Sequence, residues 1–235
     1  MRAAIIPARG GSKRIKNKNI RQFCGKPMIS WAITNAINSN IFDRVIVSTD
    51  SKKIKSIALS FGAEVPFDRP TQLAGDHIGT VPVISHAIDW LEREGESVSE
   101  VCCIYPATPF LKPKYLIEGL KCLLDQNVSF SFSLTTYAHP IQRAVRLKKN
   151  GLVQISDKNM SNFRTQDLEE MYHDAGQFYW AKAEVWKSGL SILSSPSVGV
   201  LMPRYQAIDI DTPDDWEFAE LIFETTQNRA NKSYG

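Results

Sequence analysis

Residues 3–26 read AAIIPARGGSKRIKNKNIRQFCGK, and the fold is decided there. The apolar run 3–6 predicts a buried strand that ends at Pro7, and Gly10-Gly11-Ser12 follow where the chain must turn tightly. Arg9, Lys13, Arg14, Lys16, Lys18, Arg21 and Lys26 surround that turn with no acidic residue among them. A helical pattern begins near Pro27. Strand, glycine turn, basic loop and helix is the layout of a polyphosphate cradle, in which backbone N–H groups approach phosphate oxygens and lysine and arginine supply countercharge. By residue type alone the loop also reads as a solvated basic face. It contains neither GxxxxGK[ST] nor GxGxxG, the two better-known phosphate loops.

Working outward, 235 residues with 43% hydrophobic and 23% charged side chains suit one α/β domain with a full core. The net charge of +3 is concentrated in the first 26 residues, which argues against a nucleic-acid surface and for a phosphate-bearing small molecule. The N-terminal apolar run is cut by Pro7 and has no cleavage region, so a cytoplasmic protein is expected. No run approaches the roughly 18 apolar residues needed to span a membrane. Cys24, Cys102, Cys103 and Cys122 lack CxxC spacing and are expected as buried free thiols.

The apolar run at 44–48 predicts a buried parallel strand, 101–105 another buried strand and 130–135 a further strand, alternating with helices at 27–38, 52–61, 81–94 and from Pro113 to about 125. A short strand is expected at 63–66, and others at 176–181 and 198–202. This alternation calls for a doubly wound, mostly parallel α/β sheet with ligands beyond the carboxyl ends of its strands. The pattern breaks at about 137–171. Two short strand-like runs flank Lys148-Lys149-Asn150-Gly151, a hairpin signal, and 157–166 is polar and irregular. With too little apolar content for its own core, this insert is expected to pack on the main domain or reach a partner subunit. The end of the chain, from about 227, is expected to fray.

A second constellation lies at 207–216, AIDIDTPDDW. In extended chain, side chains at i and i+2 share a face, so Asp209 and Asp211 point one way while Ile208 and Ile210 face the core. Two such carboxylates repel unless a cation lies between them, and Mg²⁺ held by one or two carboxylates plus phosphate oxygens suits the pair. Read as an isolated DxD, the two are equally turn and cap residues. Thr212 reads as a helix N-cap, Pro213 as the first helical residue and Asp215 as the acidic third position. The four histidines have no metal-ligand spacing.

IPARGGSKRIKNKNI with the following GKPMISW resembles the signature of the CMP-nonulosonic acid synthetases, the CMP-sialic acid (acylneuraminate) synthetases and their bacterial relatives. The IDID pair resembles theirs too, and the likeness extends over residues 3 to about 223. It implies a Rossmann-like nucleotidyltransferase fold with a small hairpin insert for dimerisation. It also implies a Mg²⁺-dependent cytidylyltransferase acting on CTP and a nine-carbon acidic sugar. By match, Asp209 and Asp211 hold the metal. Ala8, Arg9, Gly10, Gly11, Ser12, Lys13, Lys18 and Asn19 cradle the triphosphate, with Arg9, Lys18 and Asp211 carrying catalysis. Arg69 in RPxxLAxD and Thr80 resemble nucleotide-site positions, and Arg164 and Tyr179 resemble sugar-site positions. The chain reads YPATP (105–109) and HDAGQFY (173–179) where sialic acid synthetases read QPTSP and RPNGAIY. HPIQRA (139–144) and YHDAGQFYW (172–180) resemble the pseudaminic acid branch, which adds Tyr105, Asp174 and Gln177 to the expected sugar pocket. Sialic or legionaminic acid is the alternative sugar, a nucleotide-sugar glycosyltransferase the alternative reaction, and a non-catalytic nucleotide-binding regulator the third reading.

Overall fold

The computed structural model describes residues 1–126, 128–156 and 163–232. In chain order the elements are β1 (Arg2–Pro7), β2 (Gln22–Phe23), β3 (Lys26–Pro27), α1 (Met28–Asn38), β4 (Arg44–Ser48), α2 (Lys52–Ser60), α3 (Thr80–Arg93), β5 (Glu100–Ile104), α4 (Pro113–Asp125) and β6 (Phe130–Thr136). They continue with β7 (Val145–Leu147), β8 (Val153–Ile155), β9 (Tyr172–Lys182), α5 (Ala183–Lys187), β10 (Ser197–Leu201) and α6 (Pro213–Lys232).

Six strands form the central sheet in the order β10-β6-β9-β5-β1-β4. All neighbours are parallel except β9, which runs antiparallel to both β5 and β6. The cause lies in the connection. A parallel neighbour needs a crossover to the opposite end of the strands, usually a helix. The insert after β6 supplies none, so the chain re-enters at the end it left. β9 then finishes at the end where β6 began, so β10 starts there, after α5, and runs parallel with β6.

β1, β4 and β5 are buried on both faces, which is why they read as continuous apolar runs; β6 alternates phenylalanine with serine, and β10 at the sheet edge is largely exposed. Ala4, Ile6, Val45, Val47, Cys102, Phe178 and Trp180 pack against α1, α2 and α4. Ile5, Val101, Cys103, Phe130, Phe132 and Tyr179 pack against α3 and α5. A third cluster joins Phe23, Met28 and Phe110 to Ile210, Trp216 and Phe223, holding the start of α6 against the segment that follows β1. Burying the indoles of Trp180 and Trp186 strands no donor: Nε1 of the first donates to Leu116 O and of the second to Val101 O, both at 3.0 Å.

Several local expectations change. The strand foreseen at 63–66 is a single bridge, Ile46 to Glu64, because Glu64 alone meets the ladder at the edge of β4. The hairpin β7–β8 forms, but on a three-residue loop. Gly151 N–H donates to Lys148 O, and Gly151 takes φ +81°, a turn followed by a left-handed glycine. Part of the irregular stretch at 157–166, residues 157–162, lies outside the described residues. The fraying foreseen from 227 gives way to helix through Lys232. Cys102 and Cys103 are buried, whereas Cys24 and Cys122 are only half-buried. The β2–β3 pair and α5 are too short to leave a periodic signal.

Candidate active site

The loop after β1 is fixed from beneath. Ala8 continues the parallel ladder, its N–H donating to Ser48 O at 2.9 Å, and is fully buried. Gly10 then crosses the start of α2 so closely that a Cβ there would stand 3.1 Å from Ser51 Cβ. Its N–H donates to Asp50 Oδ1 at 2.8 Å, and Ser12 N–H donates to Gly10 O. Two of the N–H groups expected to face phosphate are therefore committed within the protein. Gly11 is exposed at the crown of the loop. Buried Asn19 donates Nδ2 to Arg9 O at 3.1 Å, so it braces the loop from behind while also bordering the cleft.

With the backbone pinned, Arg9, Lys13, Arg14 and Lys18 face a cleft of about 560 Å³ together with Ser12, Asp76, His77, Tyr105, Gly176, Asp209 and Asp211. The two ends of the chain meet here. Asp211 pairs with Lys18 Nζ at 3.2 Å, 193 residues away in sequence, and with Arg14 at 2.7 Å. Asp76 pairs with Arg9 and Lys13. Hydrogen bonds from Lys13 and then Arg9 hold its carboxyl down to about 2, so it is ionised at every physiological pH.

Ile210 is buried and Ile208 packs on the same cluster, while Asp209 and Asp211 both line the cleft, as the alternation requires. Thr212 and Asp215 form a reciprocal cap. Asp215 Oδ2 accepts from Thr212 N–H at 2.8 Å and from Asp211 N–H at 3.1 Å, and Thr212 Oγ1 accepts from Asp215 N–H at 3.2 Å. The cap therefore fixes the backbone of Asp211. Asp209 has no ion pair among the described residues. Lost hydration against the cleft wall, and then the neighbouring Asp211 carboxylate, raise its pKa. A hard divalent cation relieves that repulsion. The pair could supply two oxygen ligands, a donor set that fits an ion such as Mg²⁺ whose shell is completed by phosphate oxygens and water.

The other wall is built by an irregularity in β9. Phe132 pairs with Tyr179 and Leu134 with Asp174, so Ala175, Gly176, Gln177 and Phe178 all stand opposite Ser133. The bulge turns through Gly176, φ +61°, which borders the cleft. It leaves buried N–H groups without ladder partners. Ser133 Oγ accepts from Gln177 N–H at 3.1 Å and from Phe178 N–H at 3.4 Å. Asp174 staples the bulge, Oδ1 accepting from Gly176 N–H at 2.8 Å and Oδ2 from Tyr179 Oη at 2.6 Å. Burial, with Tyr105 and Asp174 adjacent, pushes the Tyr179 hydroxyl far up. Gln177 is buried with Oε1 unpartnered.

Of the expected site residues, Arg9, Ser12, Lys13, Lys18, Asn19, Tyr105, Asp209 and Asp211 border this cleft. Thr80 joins it through a 2.8 Å hydrogen bond to Tyr105 Oη. Arg69 sits behind it, buried, donating Nε and Nη2 to Ser48; burial lowers its guanidinium to about 10, with Asp50 partly offsetting. Tyr179, Asp174 and Gln177 form the wall behind Gly176, and Arg164 is exposed on the insert, not among the residues bordering the cleft. By sequence, Arg14 stood only among the loop's cations, without a site position of its own, and Asp50, Asp76 and Ser133 had no role. Only Asp76 carried a signal, as the last residue of RPxxLAxD.

A model of the cytidylyltransferase family matches residues 3–197. The chain belongs to that family. It is 39% identical to the pseudaminic acid cytidylyltransferase of Campylobacter jejuni, over 96% of this chain and 97% of that protein. It is 34% identical to the CMP-N,N'-diacetyllegionaminic acid synthase of Legionella pneumophila, over 95% and 97%. Among solved structures it is similar to a CMP:2-keto-3-deoxy-manno-octonic acid synthetase complexed with CTP. There the TM-score is 0.69 and the identity 16%, over 96% of this chain and 99% of the other, a likeness that shows the fold. This cytidylyltransferase is thus a nucleotidyltransferase whose basic loop and carboxylate pair face one cleft.

Proposed function

We propose that this cytidylyltransferase activates pseudaminic acid, converting it with CTP into CMP-pseudaminic acid and pyrophosphate. The observation that carries the reaction is the meeting of Lys18 and Arg14 with Asp211 in a cleft that also holds Arg9, Lys13 and Asp209. Such a site neutralises a triphosphate at one end and offers a metal pair at the other. The choice of sugar rests on the 39% identical relative, supported by the stapled β9 bulge, whose residues differ from the sialic acid pattern.

In this reading Arg9, Lys13 and Lys18 bind the phosphates, with Gly11 and Ser12 at the turn, and Asp209 and Asp211 hold Mg²⁺. When bound, the ion would supply charge neutralisation at phosphate oxygens and lower the pKa of a hydroxyl beside it. The anomeric hydroxyl of the sugar attacks the α-phosphorus in line. The new O–P bond forms as the bond to the β-phosphate oxygen breaks, the hydroxyl proton is lost to solvent, and pyrophosphate departs. No covalent enzyme intermediate is needed. Positioning and charge carry the rate. Tyr105 and the bulge face the sugar, where unpaired buried groups such as Gln177 Oε1 penalise a sugar lacking the matching donor.

Residues of the insert support a homodimer. Val145, Leu147 and Val153 share one face of the β7–β8 hairpin and are 56–75% exposed, an apolar face suited to a second copy that also brings its Arg164 toward the sugar. The reaction would draw on cellular CTP, which supports a cytoplasmic enzyme.

The test is pyrophosphate release from CTP and Mg²⁺ with pseudaminic, legionaminic, sialic and deaminated sialic acids side by side. Highest kcat/KM with pseudaminic acid supports the proposal. A faster rate with another sugar reassigns the substrate, and no pyrophosphate with any of them removes the reaction.

A further inference from the structure

The cleft contains a carboxylate that the reaction does not use. Asp76 divides its two oxygens between two cations of the loop, Oδ1 to Arg9 and Oδ2 to Lys13. A phosphate-binding site gains nothing in affinity from a nearby anion, because like charges repel. Yet this anion occupies the very donors that a polyphosphate needs.

We propose that Asp76 is a competing counter-ion, which holds Arg9 and Lys13 between catalytic cycles, yields them to an incoming polyphosphate and reclaims them as pyrophosphate leaves. The inference rests on the function proposed above, which gives Arg9 and Lys13 their phosphate.

Three features suit the role. First, the exchange needs side-chain motion only. The Arg9 backbone is held by Asn19, whereas the Lys13 side chain is 77% exposed and those of Arg9 and Asp76 about one-third exposed. Second, Asp76 sits in the turn between the short helix Thr71–Leu73 and α3, bracketed by Gly75 and Gly79. Gly79 has open space where a Cβ would stand, so no side chain there closes the turn down. Third, the carboxyl is held near 2 and remains charged at neutral pH, so phosphate charge and salt, not protonation, set its release. Asp211 pairs with two cations in the same way, but it belongs to the carboxylate pair. Asp76 lies elsewhere in the sequence and contributes only competition.

The experiment is calorimetric titration of the full chain with inorganic pyrophosphate, comparing wild type with Asp76→Asn, Asp76→Ala and Asp76→Glu, together with CTP saturation kinetics. Removing two exposed ion pairs from the free protein should tighten pyrophosphate binding by roughly three- to ten-fold in the Asn and Ala variants. KM for CTP should fall, and product inhibition by pyrophosphate should strengthen. The Glu variant, which restores the charge, should return all three toward wild type. A merely structural turn residue would shift the melting temperature without this pattern, and the Ala variant stands in should the Asn variant melt early. Unchanged or weaker pyrophosphate binding in both neutral variants overturns the inference. If the wild type binds pyrophosphate but turns over no sugar, the proposed reaction fails while the competition stands. If it binds no pyrophosphate, both fail.

Discussion

Replacing Asp215 with alanine probes how the Asp211 carboxylate is held by a residue outside the cleft lining. Asp215 Oδ2 accepts hydrogen bonds from Asp211 N–H, Thr212 N–H and Thr212 Oγ1, at 3.1, 2.8 and 2.7 Å. Loss of a cap of this type costs about 1–2 kcal/mol. In a chain of this length each kcal/mol moves Tm by roughly 2–4 °C, so a fall of about 2–8 °C is expected. Activity should fall further than stability suggests. Asp211 loses its backbone anchor, and a shift of about 1 Å in a positioned group costs on the order of 100-fold in rate. The assays are thermal unfolding and pyrophosphate release. Hydrogen bonds from Thr212 hold the Asp215 carboxyl below its usual value, so its stabilisation is complete above an unfolded pKa of about 4. It is lost as pH falls through the lower folded value, and the stabilities of wild type and variant should converge in acid. Thr212→Ala should not add to Asp215→Ala, since the two share bonds. A variant that melts earlier but keeps kcat within twofold refutes the link between cap and catalysis.

Asp211→Ala should abolish pyrophosphate release, by about 1,000-fold or more on the scale of lost electrostatic preorganisation. Its Tm should change little, and near-normal turnover would remove Asp211 from the metal site. Ser133→Ala strands the Gln177 and Phe178 N–H groups in the buried bulge. It should cost about 1–3 kcal/mol by denaturant unfolding and raise KM for the sugar more than for CTP. Gly119→Ala would place a Cβ 2.6 Å from Phe178 Cε2 and 2.9 Å from Trp180 Cδ1, where α4 crosses β9. Overpacking of this kind costs about 1–3 kcal/mol, read as a lower denaturant midpoint.

What could be read from the sequence follows from what each feature demands locally. β1, β4 and β5 were legible because burial on both faces leaves no polar alternation, and α4 was legible because Pro113 occupies its first position. Ile208-Asp209-Ile210-Asp211 was legible because period two fixes which side chains share a face, and Ile210 is indeed buried. The reversal of β9 was not, since strand direction depends on where the insert delivers the chain, not on the composition of β9. The bulge was hidden because Ser133, an ordinary strand serine by sequence, only acquires its role opposite four residues of another strand. Asp76 and Arg9 are 67 residues apart, and no local period relates them. Arg69 was identified as a charged residue of the nucleotide site, yet its guanidinium closes the end of β4 on Ser48.

The central claim is that the basic loop after β1 and the carboxylate pair before α6 grip one nucleotide. A crystal grown with CTP and Mn²⁺ in place of Mg²⁺ tests it directly through the anomalous signal of manganese. The account expects a manganese peak between Asp209 and Asp211, with the triphosphate running from it along Lys18, Lys13 and Arg9. A triphosphate bound elsewhere, or manganese seated away from both carboxylates, would contradict it.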